Sequence, residues 1–376
     1  MEATSDLFPA TYEASRSRFR AALAPLRLHW PEARLGFHRL QGGEDLTIDW
    51  IEARPTASTD RLLLFTTGEH GIEGYTGSAV LQLVLSTYLP TLDPTRTGLF
   101  LVHAINPWGM KHRRRTNAEN VDLNRNFLSP GSLFDASGNP SYAKLHPLLN
   151  PTGPVRSFTR GRMSFYARLL REAARLGPAR FRESALIGQY RFPQGIYYGG
   201  DRLQEEARAL TALLEAQLPL YERMLHLDVH TGYGPPRSMM VVTSALEARA
   251  SQDLERVFAY PSVVKATSTE FYRIQGDMID YVYALARERR AGRPFFAASF
   301  EYGTLGESLG AMLRSLHIMV LENQLYHFGA ASSALGDRIR REFDALFAPK
   351  DPAWRAQALE SARGAVKGIL TAEGYL

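Results

Sequence analysis

Four short apolar runs in this chain each stop at a cluster of polar residues, and this recurrence narrows the folds open to it. Leu62–Thr67 leads to His70 and Glu73, and Leu99–Ile105 leads to Asn106 and the basic run behind it. Leu225–Val229 leads to His230, and Phe296–Phe300 leads to Glu301. Runs this short and this apolar read as strands buried on both faces. Helical patterns separate them, at Tyr75 to Tyr88, near 202–222 and near 278–290. Strands alternating with helices predict an α/β layered sheet. In such sheets ligands gather beyond the carboxyl ends of the strands, where the polar clusters fall.

The remainder of the chain fits the same plan. Ala10 to Leu26 reads as an amphipathic helix, and Arg34–Leu40 and Leu46–Ala53 as strands joined at Gly42-Gly43-Glu44-Asp45. Asn106-Pro107-Trp108-Gly109 reads as a turn. Residues 128–160, rich in Ser, Pro, Gly and Asn, read as a long, partly irregular excursion. A strand is expected at Ser238 to Thr243, and helices near 160–177, 245–258, 307–328, 333–347 and 352–371. No repeat or linker divides the sequence, so one domain over residues 1–376 is expected, with the excursion near 128–160.

Composition excludes several kinds of chemistry. Cysteine is absent, which removes disulfides, thiolate metal sites and cysteine nucleophiles. Any metal has to use His, Asp or Glu. No apolar run reaches the roughly 18 residues of a membrane span. Met1–Asp6 has neither a basic nor an apolar signal region, so a cytoplasmic protein is expected, with no membrane partner. The formal charge of +5 over 376 residues suits an acidic substrate without demanding nucleic acid, and no nucleic-acid partner is expected.

The metal candidates stand in Gly68-Glu69-His70-Gly71-Ile72-Glu73-Gly74. Glycines at a strand end let the loop take directions closed to other residues. His70 and Glu73 are three apart, so one turn can aim both at a single point, and both are ligand types that zinc accepts. His230, at another strand end, is the candidate third ligand. By alternation His226, Asp228 and His230 share a face, which brings Asp228 near. The other His-x-x-Glu, His29 to Glu32, encloses Pro31 and reads as a connecting loop.

Asn106-Pro107-Trp108-Gly109, Arg113-Arg114-Arg115-Thr116 and Val121-Asp122-Leu123-Asn124-Arg125-Asn126-Phe127 follow His-x-x-Glu and precede His230 and Glu301. In this order they resemble the zinc metallocarboxypeptidases related to carboxypeptidase A, and more closely a bacterial branch of that family. The resemblance implies a three-layer α/β/α sandwich with a mixed, mostly parallel central sheet. It implies one Zn²⁺ held by His70, Glu73 and His230, with Asp122 orienting the first histidine. Arg114 matches the arginine that polarises the scissile carbonyl, with Arg113 and Arg115 as neighbours in an uncertain register. Asn124 and Arg125 match the pair that binds a terminal carboxylate, Glu301 the general base, and Tyr272 the mobile substrate-binding tyrosine. Ile279 matches a position lining the specificity pocket.

The resemblance implies a carboxypeptidase acting on peptides or peptide-like conjugates with a free carboxylate. An N-acyl amino acid deacylase of the aspartoacylase kind shares the same residues and stays open. So does a binding protein on this scaffold, although a complete ligand set beside Glu301 counts against it. The zinc-protease signature His-Glu-x-x-His does not occur.

Overall fold

The computed structural model describes residues 7–128, 134–267, 269–272, 274–290 and 292–376. The first six residues and 129–133, part of the expected excursion, lie outside the described residues.

The strands are β1 (Arg34–Arg39), β2 (Thr47–Ala53), β3 (Arg61–Thr66), β4 (Thr97–His103), β5 (Arg223–Thr231), β6 (Met239–Thr243), β7 (Val263–Lys265) and β8 (Phe295–Tyr302). They form one sheet in the order β1-β2-β4-β3-β5-β8-β6-β7. Pairing is parallel at β4–β3, β3–β5, β5–β8 and β6–β7, and antiparallel at β1–β2, β2–β4 and β8–β6. The helices are α1 (Tyr12–Ala21), α2 (Leu23–Leu26), α3 (Gly74–Thr87), α4 (Pro107–His112), α5 (Pro140–Leu149), α6 (Thr159–Leu176) and α7 (Pro178–Leu186). They continue with α8 (Glu205–Gln217), α9 (Ser251–Phe258), α10 (Met278–Arg289), α11 (Leu309–Phe328), α12 (Ser333–Phe347) and α13 (Pro352–Ala372).

Alternation along the central strands builds two cores. Leu63, Phe65, Leu225 and Leu227 pack with Val80 of α3 and Ile369 of α13. Leu62, Leu64 and Met224 face the other way and pack with Leu210 of α8 and Val282 of α10. Strands apolar on both faces demand a helical layer on each side, and the result is the expected three-layer sandwich. Among the described residues no helix is long and apolar enough to cross a membrane.

Several local expectations need correction. The first helix breaks into α1 and α2 at Ala22. The Asn106–Gly109 segment starts α4 rather than making a bare turn. Asn106 Oδ1 accepts the Gly109 N–H at 2.8 Å, and Pro107, which has no N–H to leave unpaired, begins the helix. The excursion contains α5 and the beginning of α6. β7 was not foreseen, since three residues paired to β6 alone leave no periodic signal.

Candidate active site

The strand ends expected to carry chemistry do meet. Gly71, just beyond β3, lies so close to α4 that a Cβ there would sit 2.1 Å from the Gly109 carbonyl carbon, so only glycine fits. The loop is fastened to the arginine run by hydrogen bonds from Gly71 N to Arg115 O (3.1 Å) and Ile72 N to Arg114 O (2.9 Å). His70 and Glu73 thereby stand over the end of β5.

His70 Nδ1 lies 3.0 Å from Glu73 Oε1. His230 Nδ1 lies 3.2 Å from Glu73 Oε2 and 3.1 Å from His70 Nδ1. The far nitrogens are occupied by carboxylates. His70 Nε2 meets Asp122 Oδ1 at 3.0 Å, and His230 Nε2 meets Asp228 Oδ2 at 2.7 Å and Glu69 Oε2 at 3.3 Å. The hydrogen bond to Asp122 holds a proton on His70 Nε2 and leaves its Nδ1 a lone-pair donor, while the carboxylates beside His230 Nε2 lie close without a hydrogen bond and His230 Nδ1 faces the same point. Two such nitrogens 3.1 Å apart cannot satisfy each other, whereas a cation between them and the Glu73 carboxylate satisfies all three. Tetrahedral zinc with bonds of about 2.0–2.1 Å places its ligands about 3.3 Å apart. The observed spacings of 3.0–3.2 Å fit that figure.

Glu69, His70 and His230 also offer donor atoms within 4.8 Å of one another. Glu69 reaches the Nε2 side of His230, however, while Glu73 reaches the Nδ1 atoms of both histidines. Glu73 therefore completes the tighter set. Burial works to raise the Glu73 carboxyl, but His70, His230 and Arg115 outweigh it and hold the group below the ordinary carboxylate range. Burial likewise opposes charge on His230, and the surrounding carboxylates of Asp228, Glu69 and Glu73 raise its pKa well above the usual value. This excess of negative groups around two imidazoles suits a bound cation.

Glu301 enters through sheet register, because His230 and Glu301 are direct neighbours on the parallel pair β5 and β8. Its Oε1 accepts the Tyr233 N–H at 3.0 Å, and it lines the cavity over the metal candidates. Burial, reinforced by the Glu73 charge, pushes its carboxyl up to about 7.

The arginine run divides by direction. Arg113 takes a left-handed conformation (φ 53°) where α4 ends, and successive side chains then diverge. Arg114 points away from the cavity, pairing with Glu322 at 2.8 Å and lying 3.6 Å from the Tyr326 ring. Arg115 faces the site, with Nη1 donating to Glu73 Oε1 at 2.8 Å and Nε 3.3 Å from Asp122 Oδ2. Of the three arginines it is therefore Arg115, not the expected Arg114, that faces the metal candidates, for a backbone reason that residue spacing does not reveal.

Asn124 and Arg125 sit on a short turn, Leu123–Arg125. Asn124 Oδ1 accepts the Met278 N–H at 2.9 Å. Arg125 donates to the Asn124 and Leu186 carbonyls at 2.9 and 2.7 Å, its Nε has no partner, and among the described residues it forms no ion pair. Gly276 covers it closely, since a Cβ there would lie 2.4 Å from Arg125 O. The result is a buried cation, 1% exposed, on a cavity wall. Tyr272 lines the same cavity, stacked on Phe271 with ring centroids 4.3 Å apart. Ile279 lines it too. Tyr197 faces the cavity with its ring 5.6 Å from the Arg125 guanidinium, while Tyr198 is buried beneath. His226 binds Thr66 Oγ1 at 2.9 Å inside the sheet, and the same hydroxyl donates to Asp228 Oδ1 at 2.6 Å.

The cavity measures about 440 Å³, within the range usual for small-molecule sites. Three contributors escaped the sequence reading. Glu69 gives no signal beyond standing next to His70, Tyr233 acts through its backbone, and α6, α7 and α11 supply an apolar wall from far along the chain.

The family model described as "Protein of unknown function (DUF2817)" matches residues 8–361. No curated protein matches the sequence. Among solved structures, the chain is similar to carboxypeptidase A of Helicoverpa armigera at 14% identity, covering 89% of this chain and 74% of that one with a TM-score of 0.46. It is also similar to bovine thrombin-activatable fibrinolysis inhibitor at 11% identity, covering 86% of this chain and 96% of that one, again with a TM-score of 0.46. Likeness at this level bears on neither activity nor substrate.

Proposed function

We infer a function from the site of a chain that belongs to the DUF2817 family, whose description assigns no activity. The protein is a zinc-dependent hydrolase of amide bonds, in the first place a carboxypeptidase releasing the terminal residue from peptides or peptide-like conjugates. The observation that carries this reading is the convergence of His70 Nδ1, His230 Nδ1 and Glu73 beside Glu301.

His70, Glu73 and His230 would hold the ion, with Asp122 fixing the His70 tautomer and the Asp228 charge close to His230. Bound zinc supplies an acidified water and a Lewis acid for the carbonyl. Arg125 and Asn124 receive the substrate carboxylate, since a buried guanidinium without an ion-pair partner gains most from an anion. Arg115, rather than Arg114, faces the carbonyl. Glu301 takes the proton of the attacking water and passes it to the departing amine. Tyr272 and Tyr197 close the substrate in.

A second reading, an N-acyl amino acid deacylase, uses the same residues and is favoured by the apolar wall of the cavity. The test is metal analysis of purified protein, then assay of matched free-acid and amidated peptides and of N-acyl amino acids, before and after chelation. Zinc-restored turnover confined to free-acid substrates is expected. Undiminished turnover in the stripped protein would refute the reading.

A further inference from the structure

The cavity extends beyond the groups that chemistry at one amide bond requires. From the metal candidates it runs between the pair α6–α7 and the first turns of α11. The walls there are Leu169, Ala173, Phe181, Leu309, Met312 and Leu316. The mouth is unusually apolar, with Leu170 47%, Leu309 59% and Met312 39% exposed. Exposed apolar side chains clustered at a cavity rim mark a binding surface.

What fits there follows from what the walls lack. They are helical, so most of their backbone N–H and C=O groups are spent within the helices, apart from the Leu309 and Gly310 N–H groups that open α11. Ser315, the hydroxyl that lines this part, donates to Ala311 O at 3.0 Å. A peptide entering the annex would bury its own amide groups without partners, at a cost of about 1–3 kcal/mol each. A hydrocarbon chain carries no such groups. The carboxylate end of the substrate is assigned to Arg125, beside Leu186 at the end of α7, so the part of the annex lined by α11 is left for the other side of the scissile bond.

We propose that the annex formed by α6, α7 and α11 binds a long alkyl chain on the acyl side of the substrate, making the preferred substrate an N-acyl amino acid with a fatty acyl group. The proposal rests on the second, deacylase form of the amide hydrolase reading and narrows its substrate class. Water oxygen joins the acyl carbon, the C–N bond breaks, and the amine leaves with a proton from that water. The products are a free fatty acid and an amino acid.

Binding tests the annex apart from turnover. A fluorescent fatty acid, dansyl-undecanoate, is bound to the zinc-loaded protein and displaced by straight-chain acids from butanoate to hexadecanoate. A fully buried methylene is worth about fourfold in affinity, so dodecanoate is expected to compete roughly tenfold or more better than hexanoate even with partial burial. Ala173→Trp, which fills the space between α6 and α11, should flatten that series, and circular dichroism checks its folding. Should Ala173→Trp fail to fold, Leu316→Asp gives the second trial. Competition independent of chain length overturns the proposal, even if N-acetyl amino acids are hydrolysed and the hydrolase reading stands. Failure to hydrolyse any amide after zinc loading refutes the hydrolase reading, while the displacement series still decides the annex.

Discussion

Replacing Asp122 by Asn isolates the carboxylate that orients His70. The two shapes are nearly the same, and both residues of the contact are buried, Asp122 at 1% and His70 at 3% exposure. The bond between them is 3.0 Å, charge-assisted while Asp122 is ionised. Burial pushes this carboxyl up, but Arg115, Arg125 and His70 prevail and hold it well below the usual range, so it is ionised at neutral pH. A hydrogen bond to a charged group is worth about 1.5–3 kcal/mol. Asn retains only part of that, and it also lets His70 carry its proton on the wrong nitrogen. The expected loss in zinc affinity is about 10–100-fold, the range found for partners of metal-bound histidines. Competition for zinc against a chromophoric chelator at fixed pH measures it directly. Arg115 also touches Asp122, at 3.3 Å, so Arg115→Met is measured in parallel to separate the two effects. Affinity within twofold of the wild type for Asp122→Asn would show that His70 is not a ligand or is oriented by something else.

Glu301→Gln should keep zinc at full occupancy and cut turnover by about 10²–10⁴-fold, the usual weight of a positioned base; metal content with single-turnover kinetics checks it, and retained turnover removes Glu301 from that role. Arg125→Met should raise KM steeply for free-acid substrates but leave the weak turnover of their amides nearly untouched; equal losses on both would mean a structural role. Glu206 is buried on α8, and burial lifts its carboxyl from an ordinary 4.5 to about 7. Between those pH values the unfolded chain ionises first and binds fewer protons than the folded one, so stability falls as pH rises to about 7 and is then level. Glu206→Gln should therefore stabilise the protein by up to about 3 kcal/mol at pH ~8 and far less at pH ~4.5; urea denaturation at both values would contradict this if the gain were equal.

Much of the fold is legible in the chain because its signals are local. The runs at Leu62–Thr67 and Phe296–Phe300 are apolar on both faces, and a strand buried on both sides needs helices above and below. His70 and Glu73 share a point because they lie three apart across a turn framed by glycine. Alternation along β5 brings Asp228 to His230, as residue order predicts. α5 lies within the Ser-, Pro-, Gly- and Asn-rich stretch 128–160, whose composition resembles loop, and α7 follows Gly177-Pro178, a pair that signals the end of a helix.

Residue order therefore determined the layers, the strand ends and the kinds of side chain offered there, since each depends on near neighbours in the chain. Tertiary structure alone decided which groups meet. His230 stands beside Glu301 through the register of β5 on β8, and Arg115 rather than Arg114 faces Glu73 after the one left-handed residue that ends α4. Glu73 rather than Glu69 closes the set of Nδ1 donors through the twist of a single loop. The apolar annex exists only because α6, α7 and α11, far apart in the sequence, pack beside the same strand ends. Such contacts arise from long-range packing, and no pattern within a short window of sequence records them.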